Sequence, residues 1–194
     1  VTSGSSPASL MMPAEAQRRF ALVEQLHVHP LVLDQRHDSE LDGASKLLFR
    51  TATGLLTESV VLRIATGRTS LCVSSQIGCA AACRFCATGT MGIARNLSAA
   101  EILDQVLQAG QLLAAEGRQL RNLSPKKILV SSVGVIDGML RFAARYPSVG
   151  LALSLHSVRP EVRERLIPLA RRYPLPKLRE AIARINGLQD RAVM

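Results

Sequence analysis

The chain has 194 residues, enough for one ordinary domain with part of a second and for a real buried core. With 47% apolar residues, 20% charged residues and 22 Gly plus Pro, collagen-like, low-complexity and wholly disordered chains are excluded, and no apolar run approaches the roughly 20 residues that span a bilayer. A balance of 24 Lys and Arg against 15 Asp and Glu, net +9, favours a polyanionic partner such as nucleic acid; aromatic residues at 3% leave few stacking platforms, so phosphate contact is the mode that charge supports.

Val1 is not an initiator methionine, and VTSGSSPASLMMP has neither a basic n-region nor a long apolar h-region, so no signal peptide is expected. Residues 1–13 read as a flexible leader. Residues 13–28 read as a helix burying Phe20, Leu22, Val23 and Leu26, followed by a polar, Asp-rich link. KLLFRT (46–51) and TESVVLR (57–63) are β-rich runs around a Gly-containing connection, as in a hairpin or meander. Residues 14–66 thus form a small N-terminal α+β module.

Residues 67–194 have a different pattern. Leu71 to Ser75 is a short strand expected to run into a cysteine loop and then a helix from Ser98, where Glu101 completes a capping box. Ile102, Val106, Ala109 and Leu113 make one apolar stripe on that helix, which ends near Gly117. Strand KILVSS (127–132) with a helix over 136–146, and strand VGLALSLH (149–156) with a helix over 161–169, follow; residues 176–185 are a further helix. Apolar strands alternating with amphipathic helices predict a parallel α/β sheet.

All four cysteines fall within fifteen residues, at Cys72, Cys79, Cys83 and Cys86. A secreted scaffold spreads its cysteines to staple distant loops, whereas one tight cluster predicts a metal or redox centre in a reducing compartment, here the cytoplasm. Cys79-Ala-Ala-Ala-Cys83-Arg-Phe-Cys86 is C-x3-C-x2-C. Zinc would need Cys72 or a distant histidine as a fourth ligand. An iron–sulfur cube on three thiolates would keep one iron open to a small molecule.

C-x3-C-x2-C with an aromatic before the last cysteine resembles the signature of radical S-adenosylmethionine (SAM) enzymes. More narrowly, LCVSSQIGCAAACRFCATGTMGIARNLSAAEILDQV (71–106), LSPKKILVSSVGVIDGML (123–140), ALSLHSVRPEVRERLIPLARRYPL (152–175) and, more weakly, ESVVLR (58–63) resemble the RlmN/Cfr family. That family methylates C2 or C8 of an adenine in large-subunit ribosomal RNA. The resemblance implies a partial (β/α) barrel of the radical SAM type, a [4Fe–4S] cluster on Cys79, Cys83 and Cys86, and SAM as cofactor, cleaved to a 5′-deoxyadenosyl radical. It implies that Ser131, Ser154, Leu155 and His156 contact SAM, that Cys72 helps resolve an RNA–protein adduct, and that Glu58 is the general base. Ribosomal RNA, with transfer RNA as a further substrate class, and an external one-electron reductant would be partners of a monomer with no membrane association.

Beside these roles stand plainer ones. Glu58 alone reads as a solvated strand residue, Ser131 and Ser154 as strand-end hydroxyls bonded to backbone, His156 as a structural histidine, and Cys72 as a small buried hydrophobe. Arg159, Arg163, Arg165, Arg171 and Arg172 read as a solvated face that could meet RNA phosphates.

Two family elements are missing. Between Asn122 and Leu123 the family carries a strand, a Gly-Met-Gly-Glu-Pro motif that binds the SAM amino group, and a helix; no Gly-Glu-Pro occurs in this chain. No cysteine follows Cys86, whereas the family uses a C-terminal cysteine to relay the methyl group. The expectation is a radical SAM adenine-C2 methyltransferase by resemblance, catalytically incomplete as it stands. The alternative is a non-catalytic RNA-binding or metal-binding remnant.

Overall fold

The computed structural model describes residues 29–63, 68–118 and 124–194. The leader, the helix expected over 13–28 and the Asn122–Leu123 junction lie outside the described residues. In chain order the described elements are β1 (Leu31–Asp38), β2 (Ser45–Thr51), β3 (Leu56–Arg63), β4 (Thr69–Cys72), β5 (Gln76–Gly78), α1 (Ala87–Thr90), β6 (Ile93–Asn96) and α2 (Ala99–Ala115), then β7 (Leu129–Ser132), α3 (Ile136–Arg145), β8 (Gly150–Leu153), α4 (Pro160–Leu166) and α5 (Leu175–Leu188), with a 3-10 turn over Pro168–Arg172.

Strands β1 to β4 form an antiparallel meander in chain order. The segment expected as an Asp-rich link is strand β1. Leu31 and Leu33 supply its inward side chains, while Asp34, at the register shift between Leu33 and Gln35, accepts from Arg50 Nε and Nη2 at 3.0 and 2.8 Å. In β2 the alternation is strict: Ser45, Leu47, Phe49 and Thr51 are buried while Lys46 and Arg50 are exposed, the pattern of a sheet with one solvated face.

Helix α2 covers the inner face, placing Ala109 and Leu113 against Leu31, Leu47, Phe49 and Val61. Its N-terminus carries the expected capping box between Ser98 and Glu101. The buried stripe differs from expectation, since Ile102 and Val106 are only half-buried and Glu101, Asp104 and Gln105 occupy the inner face. These polar groups are tolerated there because they are hydrogen-bonded. Asp104 pairs with His29 Nδ1 and accepts from the Leu31 amide at 2.9 Å. Gln105 Oε1 accepts from Ser59 Oγ at 2.7 Å and from the Ser74 amide at 2.9 Å.

Strands β7 and β8 pair in parallel, from Leu129 opposite Gly150 to Ser132 opposite Leu153. Met194 extends this pair: its amide donates to Leu151 O at 3.0 Å and its carbonyl accepts from Leu153 N at 2.8 Å, a third parallel rung beside β8. Val193 enters the core of Met139, Ala143, Leu151 and Ile185 that seats α3 and α5 on the strands. The strand expected over 71–75 is not part of this parallel set. Its residues 71–72 belong to β4, which prefers β3 because Val60 and Val61 stand opposite Cys72 and Leu71. The sheet therefore draws on both sides of residue 67. The described strands form separate sheets and not one continuous barrel wall, and β7 leaves Leu129 half exposed. No helix among the described residues is long and apolar enough to cross a membrane.

Candidate functional site

The cysteine loop is the tip of a β-hairpin. β5 and β6 pair antiparallel and the Cys79 amide donates to Gly92 O at 2.8 Å, so the loop does not run directly from a strand into the long helix. Gly78 adopts φ +79°, and a Cβ there would fall 2.0 Å from Gly92 O, so the hairpin base closes only around glycine. Within the loop Ala82 sits at φ +51°, a region L-residues rarely adopt, and the Cys86 amide donates to Cys83 O at 3.1 Å. Sequence reasoning passed over Gly78 and Ala82, because a fourteen-residue hairpin tip between two short polar strands has no strong local signal.

The four cysteines are free thiols. Cys83 is buried with Ala81, Ile167 and Ala170, and half-buried Cys79 and Cys86 border the same cluster. Burial, and after it the charges of Cys79 and Cys86, push the Cys83 thiol above the usual range, while the Arg163 cation draws it partly back. Three thiols thus share one neighbourhood. Among the described residues no three His, Cys, Asp or Glu side chains close around a single ion position. Three thiols in one neighbourhood match in number what a four-iron cube with one open iron takes, one thiolate per iron. Cys72 is exposed on β4 and does not border the cluster, so the fourth thiolate a closed zinc site needs is not supplied by it.

The other expected positions divide into two groups. Ser131 lies on β7 opposite Ala152, and the Ser154 amide donates to Ser132 O at 2.8 Å, so Ser131, Ser154, Leu155 and His156 gather at the carboxyl ends of β7 and β8, where open α/β sheets bind ligands. His156, at φ +59°, faces Phe85 of the cysteine motif with ring centroids 4.7 Å apart. Leu166 O accepts from the Arg84 amide at 3.0 Å and fastens α4 to the same loop. Glu58 and Cys72 form the second group. Cys72 stands opposite Val60, two residues from Glu58, so both occupy the solvated face of the meander as diagonal neighbours. Glu58 there faces Lys46 Nζ at 3.9 Å.

Arg163 corrects the reading of the arginine run as a solvated face: it is 1% exposed, with its guanidinium on backbone carbonyls. A separate apolar groove of about 740 Å³ runs between Val158, Pro160, Leu175, Leu178 and Ile182 and meets the strand ends only at Leu155.

No family model matches the chain. A probable RNA methyltransferase of Rhodopirellula baltica is 51% identical to it over 206 aligned positions, covering 91% of this chain and 54% of that protein. The probable dual-specificity RNA methyltransferase RlmN of Thermus thermophilus is 33% identical over 220 positions, covering 98% of this chain and 61% of that protein. The chain belongs to the RlmN/Cfr family of RNA methyltransferases. The crystal structure of a radical SAM methyltransferase from Sphaerobacter thermophilus agrees: it superposes with a TM-score of 0.84 at 34% identity, covering 96% of this chain and 62% of that one. The chain thus spans between half and two thirds of the length of these relatives. Since 98% of 194 residues is about 190, about thirty of the 220 positions aligned with the Thermus protein face no residue here. One strand, one helix and their connections need about that length.

Proposed function

We propose that this chain carries the cofactor-binding portion of a radical SAM methyltransferase acting on C2 of an adenine in 23S ribosomal RNA, with transfer RNA as a further substrate. The observation that carries the reading is the hairpin tip that gathers three free thiols at the carboxyl ends of two parallel strands, in a chain of this family. Cys79, Cys83 and Cys86 would hold a [4Fe–4S] cluster. A cluster held there would supply the electron for reductive cleavage of SAM. Ser131, Ser154, Leu155 and His156 would position SAM, with the ring of Phe85 packed beside His156 at their edge. Cys72 and Glu58, side by side on an exposed sheet face, would meet the RNA, Glu58 as a proton acceptor.

The rungs from β7 through β8 to Met194 follow chain order, as in a singly wound barrel, which supports a partial (β/α) barrel of the radical SAM type. The tight cysteine cluster favours a reducing compartment, the cytoplasm, and the family resemblance implies a monomer served by an external one-electron donor. The shortfall of about thirty aligned positions and the missing Gly-Glu-Pro favour a second element of the reading, that methyl transfer is incomplete in this chain; the alternative is a non-catalytic RNA-binding or metal-binding remnant.

The test is anaerobic reconstitution with iron and sulfide, followed by electron paramagnetic resonance of the reduced protein with and without SAM and analysis for 5′-deoxyadenosine. A cube signal that shifts on adding SAM is expected. A cube that ignores SAM favours the remnant, and zinc without iron or sulfide overturns the cluster. Robust C2-methyladenine made by this chain alone on unmodified ribosomal RNA overturns the incompleteness.

A further inference from the structure

Arg163 of α4 is buried, its guanidinium turned in to the loops that follow β7 and β8. Its Nη1 donates to Leu155 O at 2.7 Å and to Ser154 O at 3.3 Å, and its Nη2 donates to Val133 O at 2.8 Å. Its Nε is buried with no partner. Every acceptor is a neutral carbonyl, and among the described residues no carboxylate lies within ion-pair distance of it. A buried guanidinium without an anion is costly, because carbonyl dipoles replace only part of its hydration. The Val133 segment that its Nη2 holds packs against the cluster of Ala81, Cys83, Ile167 and Ala170, which Cys79 and Cys86 border, so the guanidinium is fastened to the wall of the thiol site.

We propose that Arg163 is the counter-cation of the anionic centre held by Cys79, Cys83 and Cys86, a positioning residue that ties the carboxyl ends of β7 and β8 beneath that centre and sets its redox poise. The inference rests on the cluster reading above and extends it. Three thiolates outweigh a doubly positive cube by one negative charge, and by two once the cube has accepted an electron. A fixed cation in a water-poor site therefore favours the reduced form more than the oxidised one. The same fork spans Val133 and Leu155, so the charge is held by the two loops that follow the strands.

The test compares the reconstituted protein with Arg163→Lys and Arg163→Gln by redox titration of the cluster signal, alongside thermal unfolding of each apo-protein. Both substitutions break the fork and are expected to lower the apo-protein melting temperature. Only Arg163→Gln removes the charge, and it is expected to shift the one-electron equilibrium about tenfold toward the oxidised cluster, about 59 mV more negative. Arg163→Lys is expected to keep the wild-type potential. Should Arg163→Gln not fold, citrulline at position 163 keeps the shape of the fork without its charge and is expected to shift the potential likewise. Equal potentials across all proteins, or a shift in Arg163→Lys as large as in the neutral variants, overturn the inference. A wild-type protein that takes up no iron and sulfide overturns the cluster reading first, an outcome distinct from a cluster whose potential ignores residue 163.

Discussion

Gly89 lies so close against Cys83 that a Cβ at position 89 would stand 2.8 Å from the Cys83 carbonyl oxygen and 2.9 Å from its nitrogen. Neither backbone atom can yield without moving the loop. Gly89→Ala is therefore expected to cost about 1–3 kcal/mol of stability and to lower iron retention after reconstitution. Gly187 in α5 has nothing within 4 Å of its Cβ position, so Gly187→Ala is expected to stabilise by about 0.5–1 kcal/mol through helix propensity. Urea midpoints of the two variants, moving in opposite directions, check this pair.

The packing around Cys83, which Cys79 and Cys86 border and Cys72 does not, divides the thiols. Cys79→Ala, Cys83→Ala and Cys86→Ala are each expected to abolish stable iron and sulfide binding, while Cys72→Ala, remote from the cluster of Ala81, Ile167 and Ala170, is expected to bind as wild type. Iron and sulfide analysis after desalting reads this directly. Loss of iron in Cys72→Ala would return Cys72 to the ligand set.

Asp104 joins β1 to α2 from a fully buried position, accepting from the Leu31 amide and from Gln108 Nε2 at 3.0 Å as well as pairing with His29. Asp104→Ala leaves the Leu31 N–H without its partner and is expected to destabilise by about 1–3 kcal/mol. Equilibrium denaturation followed by far-UV circular dichroism checks the value.

Acid unfolding has a named contributor. Arg95 donates to both Glu101 carboxylate oxygens, at 2.8 and 2.7 Å, and holds this carboxyl at about 2, with the Ser98 amide and hydroxyl assisting and burial opposing. Because the folded value lies below the unfolded one, its stabilisation is fully present above about pH 4.5 and is lost as pH falls from there toward about 2. The contribution is about 2–3 kcal/mol. Glu116, held low by Arg63 and then Arg36, acts in the same direction. Urea midpoints between pH 2.5 and 6 are expected to fall steeply in the wild type and less steeply in Arg95→Met.

What was legible in the sequence was local. The capping box at Ser98 and Glu101, the alternation of β2 and the strand–helix order after residue 127 each depend on neighbours a few residues apart. Strand β1 was not legible, because only Leu31 and Leu33 mark its inner face and the arginine that answers Asp34 lies sixteen residues further on. The hairpin base pairs Gln76–Gly78 with Ile93–Asn96 across the whole cysteine loop, a non-local match between short polar segments. Among the site residues, the cysteine spacing was visible on its own terms. His156 was visible only through resemblance, and its contact with Phe85 depends on a fold that brings residues 71 positions apart together. Arg163 looked like its exposed neighbours because the carbonyls that receive it belong to other segments.

The backbone of Met194 is already committed to Leu151 and Leu153. Its carbonyl meets Leu153, the last residue of β8, so whatever is joined after it sets out beside Ser154 to His156 and not as a remote tail. A purification handle joined directly after Met194 is accordingly a structural intervention beside the segment that leads to His156.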